Sequence, residues 1–175
     1  MIRALKSITF IYVPREDRIL AVVNAGKDDA WSCWLTRRVA LALLDRGGAY
    51  VQSKSDLAQR APAELRGDMI AFERDAAIAK TAGAMSITPP NVLQSSAVGA
   101  ELADRLSIVQ HGQGFRLELR GQAEAGAAAL FTPAELQRML QMLHGEAAKA
   151  AWLAGPGPAP AAAAAAAPEP KPFRN

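Results

Sequence analysis

The chain has 175 residues, half of them hydrophobic, which is enough to bury the core of one domain or of two small halves that share it. Its 20 basic and 17 acidic residues leave a net charge of +3, too even a balance to point to a nucleic-acid partner, and with few histidines a small excess is enough to lift the pI to 9.3. Cys33 alone excludes an internal disulfide framework, and with only His111 and His144 beside it no zinc-type spacing exists. No run approaches the roughly 18 to 20 uncharged apolar residues of a membrane span, and Met1–Ser7 does not read as a signal peptide, so the cytoplasm is the expected location. No cofactor or metal is expected.

Ser7–Val13 alternates, with Phe10 and Tyr12 on one face and Thr9, Ile11 and Val13 on the other, the period of a strand. The polar turn Pro14–Asp17 should send Arg18–Asn24 back as the second arm of a hairpin. After the turn Ala25–Asp29, Ala30–Leu35 makes a third strand. Thr36 then caps a helix running to about Arg46 and stopped by Gly47-Gly48. Ser53–Ala84 is helical in character, with Asp56 as a cap and Pro62 in a first turn; Leu65, Met69, Phe72 and Ala76 form one apolar stripe. Thr88–Asn91 breaks the chain, and Val92–Val98 is a candidate strand.

The same order then returns at an offset of 96 residues: Ile8–Val13 falls on Asp104–Val109, Arg18–Asn24 on Gly114–Arg120, and Ala30–Thr36 on Gly126–Thr132. His111–Gly114 is the hairpin turn and Phe115–Arg120 alternates cleanly. Thr132-Pro-Ala-Glu135 is a capping box with proline at the first helical position, and Leu136, Met139, Leu140 and Leu143 give the buried face. The expected class is α+β: two pseudo-symmetric antiparallel strand-strand-strand-helix repeats with a helical insert between them. The domain spans 1–153, with repeats over 5–48 and 101–145 and the insert over 53–84; the Pro/Ala-rich tail 154–175 should be disordered.

The two copies differ where it matters. In the second, Arg116, Glu118 and Arg120 make a charged strand face. The first has Leu20, Val22 and Asn24 at the matching positions, with Ile11 beside them. Such an apolar face is covered by the Pro62–Ala84 helix, by a second subunit or by a ligand. Arg37 and Arg38 place two cations in a helix first turn, where the macrodipole disfavours them. They either grip an anion or partner carboxylate or lie along the surface over apolar area. Trp31, Cys33 and Leu35 share one strand face, and Ser32 and Trp34 the other. Both rings cannot serve one core, so one of the two tryptophans leaves the core of its repeat, as a stacking or interface anchor or packed under the middle helix.

Catalytic signatures are weak: Gly112-Gln-Gly114 is a turn, and Cys33 reads as a small buried hydrophobe. Sheet-plus-helix repeats in tandem, over about Ser7–Gly48 and Leu102–Gly145, resemble Whirly and PUR-repeat proteins. That resemblance implies a pseudo-two-fold and single-stranded nucleic-acid binding on a basic and aromatic sheet surface. The favoured reading is a non-catalytic protein-binding adaptor or assembly protein, oligomeric, with Ile11, Leu20, Val22, Trp34, Arg37 and Arg38 meeting the partner. The alternative is a single-stranded nucleic-acid-binding regulator using Trp34, Arg37, Arg38, Arg116 and Arg120.

Overall fold

The computed structural model describes residues 1–81 and 96–153. In chain order they form β1 (Ile2–Ala4), β2 (Ile8–Val13), β3 (Arg18–Val23), β4 (Trp31–Leu35), α1 (Arg37–Ser53), α2 (Asp56–Arg60), a 3-10 turn (Ala63–Leu65) and α3 (Arg66–Thr81), followed by β5 (Glu101–His111), β6 (Gly114–Gly121), β7 (Gly126–Phe131) and α4 (Pro133–Lys149). The class is α+β, as expected. The tail 154–175 and residues 92–95 of the candidate strand lie outside the described residues, while residues 96–98 form a helical turn instead of a strand.

One sheet of seven strands holds the order β1-β7-β6-β5-β4-β3-β2. Each triplet, β2-β3-β4 and β5-β6-β7, is an antiparallel meander. The triplets join through a parallel β4–β5 pair, and β1 lies parallel to β7, so the sheet is mixed where an antiparallel one was expected. A two-fold would set like strands side by side at the junction. Here the last strand of one triplet lies beside the first strand of the next, a head-to-tail succession.

The strand order has a consequence for shape. β1 and β2 lie at opposite ends of the sheet, yet only Leu5–Ser7 separates them. Leu5 N–H donates to Ala128 O at 2.9 Å on the β7 side, and Ser7 O accepts from Asn24 N at 3.0 Å on the β3 side. The sheet therefore curls until one bent N-terminal segment closes it. Asn24 fixes the bend from a fully buried position: its Oδ1 accepts from Lys6 N at 2.9 Å and Ser7 N at 3.1 Å, and its Nδ2 donates to Ala4 O at 2.8 Å. Its φ of 50° is left-handed, a conformation asparagine tolerates better than most residues.

The concave side holds the core. Ile19, Ala21 and Val23 of β3, Cys33 and Leu35 of β4, and Phe115, Leu117 and Leu119 of β6 share one buried cluster with Ala40 and Leu43 of α1 and Leu136, Met139 and Leu143 of α4. The α4 start is as expected: Thr132 N donates to Glu135 Oε2 at 2.8 Å and Glu135 N to Thr132 Oγ1 at 3.3 Å, with proline first. Thr36 likewise caps α1, its Oγ1 accepting from Val39 N. That helix does not stop at Gly47-Gly48. It continues to Ser53, and Gly47 is buried where α1 meets α4; a Cβ there would come to 2.7 Å from Leu140 Cδ2. The glycine serves close helix approach, which outweighs its helix cost of about 1 kcal/mol.

The insert corrects four expectations. Pro62 precedes the 3-10 turn instead of opening α3, and Asp56 is the first residue of α2 instead of its cap. α3 packs against α4 on the helical side of the molecule, Ile70 meeting a recess lined by Leu44, Val51, Leu140 and His144. It does not cover the outer face of the first triplet. Nor is Leu65–Ala76 the packed stripe, since Leu65 and Phe72 are both exposed.

Candidate functional site

Pairing register fixes which side each strand residue takes. Leu20 pairs with Trp34 and Ile11, and Val22 with Ser32 and Thr9, so all six share the convex face. This face is apolar, as its pattern indicates, but it is closed: Leu20 is 2% exposed and Val22 1%. Ser32 Oγ donates to Ser96 O at 2.6 Å, bringing the residues just before β5 against it. The expectation that Leu20 and Val22 meet a partner is thereby corrected, because both are buried within the chain. Ile11 and Trp34 are half-buried.

The opposite faces of β4 bear out the parity argument for its two tryptophans. Trp31 belongs to the core side, and its Nε1 donates to Glu101 Oε1 at 2.7 Å; the other carboxylate oxygen accepts from Ala123 N at 2.8 Å. Glu101 thus ties β4 to the β6–β7 turn, which Gly121 permits by leaving room beside the carboxylate. Between them Cys33 is buried. Burial, reinforced by the charge of Glu101, pushes its thiol above the ordinary cysteine range, so the sulfur stays protonated at neutral pH.

The arginines separate by role. Arg37 Nη2 donates to Trp152 O at 3.3 Å, anchoring the chain that leaves α4. Its cost at a helix start is offset by holding a carbonyl close to the opposite end of another helix. Trp152 is buried there, edge-on to Tyr12 with ring centroids 5.8 Å apart. Glu146 of α4 accepts from Tyr12 N at 2.8 Å, giving a free β2 edge amide a partner.

Arg38 takes the other direction. It lines a cleft of about 640 Å³ with Val39, Ala42 and Arg46 of α1, facing Asp104, Arg105, Leu106 and Ser107 of β5 and Glu118 and Arg120 of β6. The cleft exists because β5 outruns β4: Leu102 already pairs with Trp34, so the rest of β5 rises past the end of β4 and α1 lies beside it. Opposite Gly121–Arg120 the β5 register slips by one residue, leaving Asp104 as a bulge at the cleft.

Of the five residues expected to touch nucleic acid, the structure brings Arg38 and Arg120 to one cleft. Arg37 is engaged with Trp152 O, Arg116 Nη2 lies 3.4 Å from Glu118 Oε2, and Trp34 is not among the lining residues. The hydrogen bond from Arg120, backed by Arg116, holds the Glu118 carboxyl below its ordinary range. Arg46 and Arg105 were missed. Arg46 carried a signal, being eight residues from Arg38 and so on the same side of α1. Arg105 carried none, because its meeting with α1 depends on the parallel β4–β5 junction.

A second recess lies on the helical side. Leu57, Phe72 and Ala76 of the insert and Val51, Pro133 and Ala134 of α1 and α4 line a groove of about 360 Å³, with Lys54, Ser55, Glu73 and Gln137 also in its lining. Phe72 is 64% exposed at this groove. No group of three or more His, Cys, Asp or Glu residues that could hold a metal is found among the described residues. None of the described helices is long and apolar enough to cross a membrane. Comparison of the chain with protein-family models, with curated proteins and with solved structures gives no match.

Proposed function

We propose that the protein is a non-catalytic assembly protein that docks a protein surface, in the first instance another copy of itself, on the α2–α3 side of the molecule. The observation that carries this reading is the exposure of Phe72 at an apolar groove, with Leu57 beside it and Leu65 also exposed. A phenylalanine left this open forgoes about 1–2 kcal/mol of burial. A docking surface recovers that term, and clustered apolar side chains with a polar rim are its ordinary composition. The reading keeps the assembly role expected from the sequence and moves its surface from the first triplet to the insert.

Light scattering on the full chain at low and high salt tests it. The expected result is an oligomer indifferent to salt, which Phe72→Asp converts to a folded monomer that still melts cooperatively, lower only by the association it has lost. A wild-type chain that stays monomeric at every concentration and salt overturns it.

A further inference from the structure

The cleft between α1 and the convex face of β5–β6 is a separate matter from the apolar groove. Arg38, Ala42 and Arg46 recur every four residues and share one side of α1. Across from them Arg105 and Arg120 pair with each other on outward strand positions. Four guanidiniums thus face two carboxylates in the lining, and the carboxylates are spoken for unequally. Arg105 lies 3.7 Å from Asp104 and 3.4 Å from Glu124, and Arg120 binds Glu118 and lies 3.3 Å from Glu124. Arg38 and Arg46 make no hydrogen bond or ion pair among the described residues. Unpaired cations on one wall, with cations opposite, leave a positive potential that an anion relieves.

The remaining lining narrows the ligand. Val39, Ala42 and Leu106 give the cleft an apolar portion, and about 640 Å³ falls within the size range of small-molecule sites, well beyond a single inorganic ion. Among the described residues no aromatic side chain lines it, so the bases of a nucleic-acid strand would find no stacking platform on them. Guanidinium forks match phosphate oxygens in pairs. The geometry points to this cleft as the binding site for a small organic phosphate of at least two negative charges. Arg38 and Arg46 hold the phosphates, with Arg120 opposite, and the organic part lies on Val39 and Leu106.

Titration calorimetry of the full chain with ADP, with inorganic pyrophosphate as competitor and a short oligothymidylate as the macromolecular arm, tests the assignment. ADP should saturate one site per chain and be displaced by pyrophosphate. Arg38→Gln combined with Arg46→Gln should weaken ADP roughly tenfold or more, while Arg15→Gln, on the exposed turn after β2, should leave it unchanged. Arg38 and Arg46 are exposed and unpaired among the described residues, so the melting temperature should hold; if the double variant melts early, Arg46→Gln alone must still weaken ADP. ADP that does not bind, or binds the variants as well as the wild type, overturns the assignment. So does an oligothymidylate held more tightly than ADP through Arg38 and Arg46, which would give the cleft to a nucleic-acid strand. Phe72→Asp should leave ADP binding unchanged, so failure here and failure of the assembly reading are told apart.

Discussion

The convex faces of the two strand triplets are built to opposite ends. On the first, Leu20 and Val22 are closed off and Ser32 is bonded to Ser96 O; on the second, Arg116, Glu118 and Arg120 stand in partial contact with solvent and pair among themselves. An apolar strand face need not be a docking surface. It can equally be a second, smaller buried layer, as the burial of Leu20 and Val22 and the bond from Ser32 to Ser96 O show. The charged face, which reads as merely solvated, forms one wall of the cleft, because α1 comes to lie beside it. The cleft belongs to neither copy alone: it draws α1 from the first and β5–β6 from the second.

The contrast is most sharply put by a charge on each face. Val22→Asp puts a carboxylate at a position that is 1% exposed, between Thr9 and Ser32, and should cost at least about 4 kcal/mol, read as loss of a cooperative urea transition or a steep fall in its midpoint. Leu130→Asp is the counterpart, since Leu130 is 61% exposed on the second triplet and pairs across from Arg116. It should change stability by no more than about 0.5 kcal/mol. Equal costs for the two would show that the first convex face is open to water after all.

What the pattern revealed and what it hid divide along the range of the interactions. Period two assigned Phe115, Leu117 and Leu119 inward, and Trp31, Cys33 and Leu35 to one side, because a strand's facing is decided by its own residues. The Thr132–Glu135 cap was equally local. Gly47 misled because its purpose is contact with Leu140, distant in sequence, and the local rule for glycine after a helix does not foresee that. β1 has three residues, too few for any period, and its partner β7 begins at Gly126. Without β1 the closure of the sheet is invisible, and without the parallel junction so is the cleft. Arg38 and Arg120 were each picked out as cations, yet nothing in their spacing says that they meet.

The closure itself should rank second in energetic weight. Asn24→Ala would strand the Lys6 and Ser7 amides and the Ala4 carbonyl at the point where the N-terminal segment crosses from β7 to β3. A buried group left without its partner costs on the order of 1–3 kcal/mol, so about 3 kcal/mol in all is expected, with some relief from water. For a domain of this size that is a fall of roughly 6–12 °C in melting temperature. The loss should come with faster hydrogen exchange at Lys6 and Ser7 specifically, whose N–H groups donate to the Asn24 side chain. A uniform loss of protection across both triplets, with no excess at those amides, would mean that Asn24 supports the core generally and does not act as the clamp.

The charged face offers the smallest effect and a sign that can be worked out. Glu118 is held below its ordinary range chiefly by the Arg120 hydrogen bond, with Arg116 adding to it, and burial opposes them. Its folded carboxyl therefore titrates below the unfolded value of about 4.3. A group with a depressed folded value contributes stability that is present above the unfolded value and is lost as pH falls through the folded one. Urea midpoints of the wild type and Glu118→Gln should accordingly show a small gap in favour of the wild type near about pH 7, closing as pH falls through the depressed folded range of the carboxyl. Both arginines are partly exposed, so added salt should narrow the gap as well. A gap that ignores both pH and salt would mean that Glu118 acts through shape alone. The pairing would then no longer explain why this convex face tolerates water while the other excludes it.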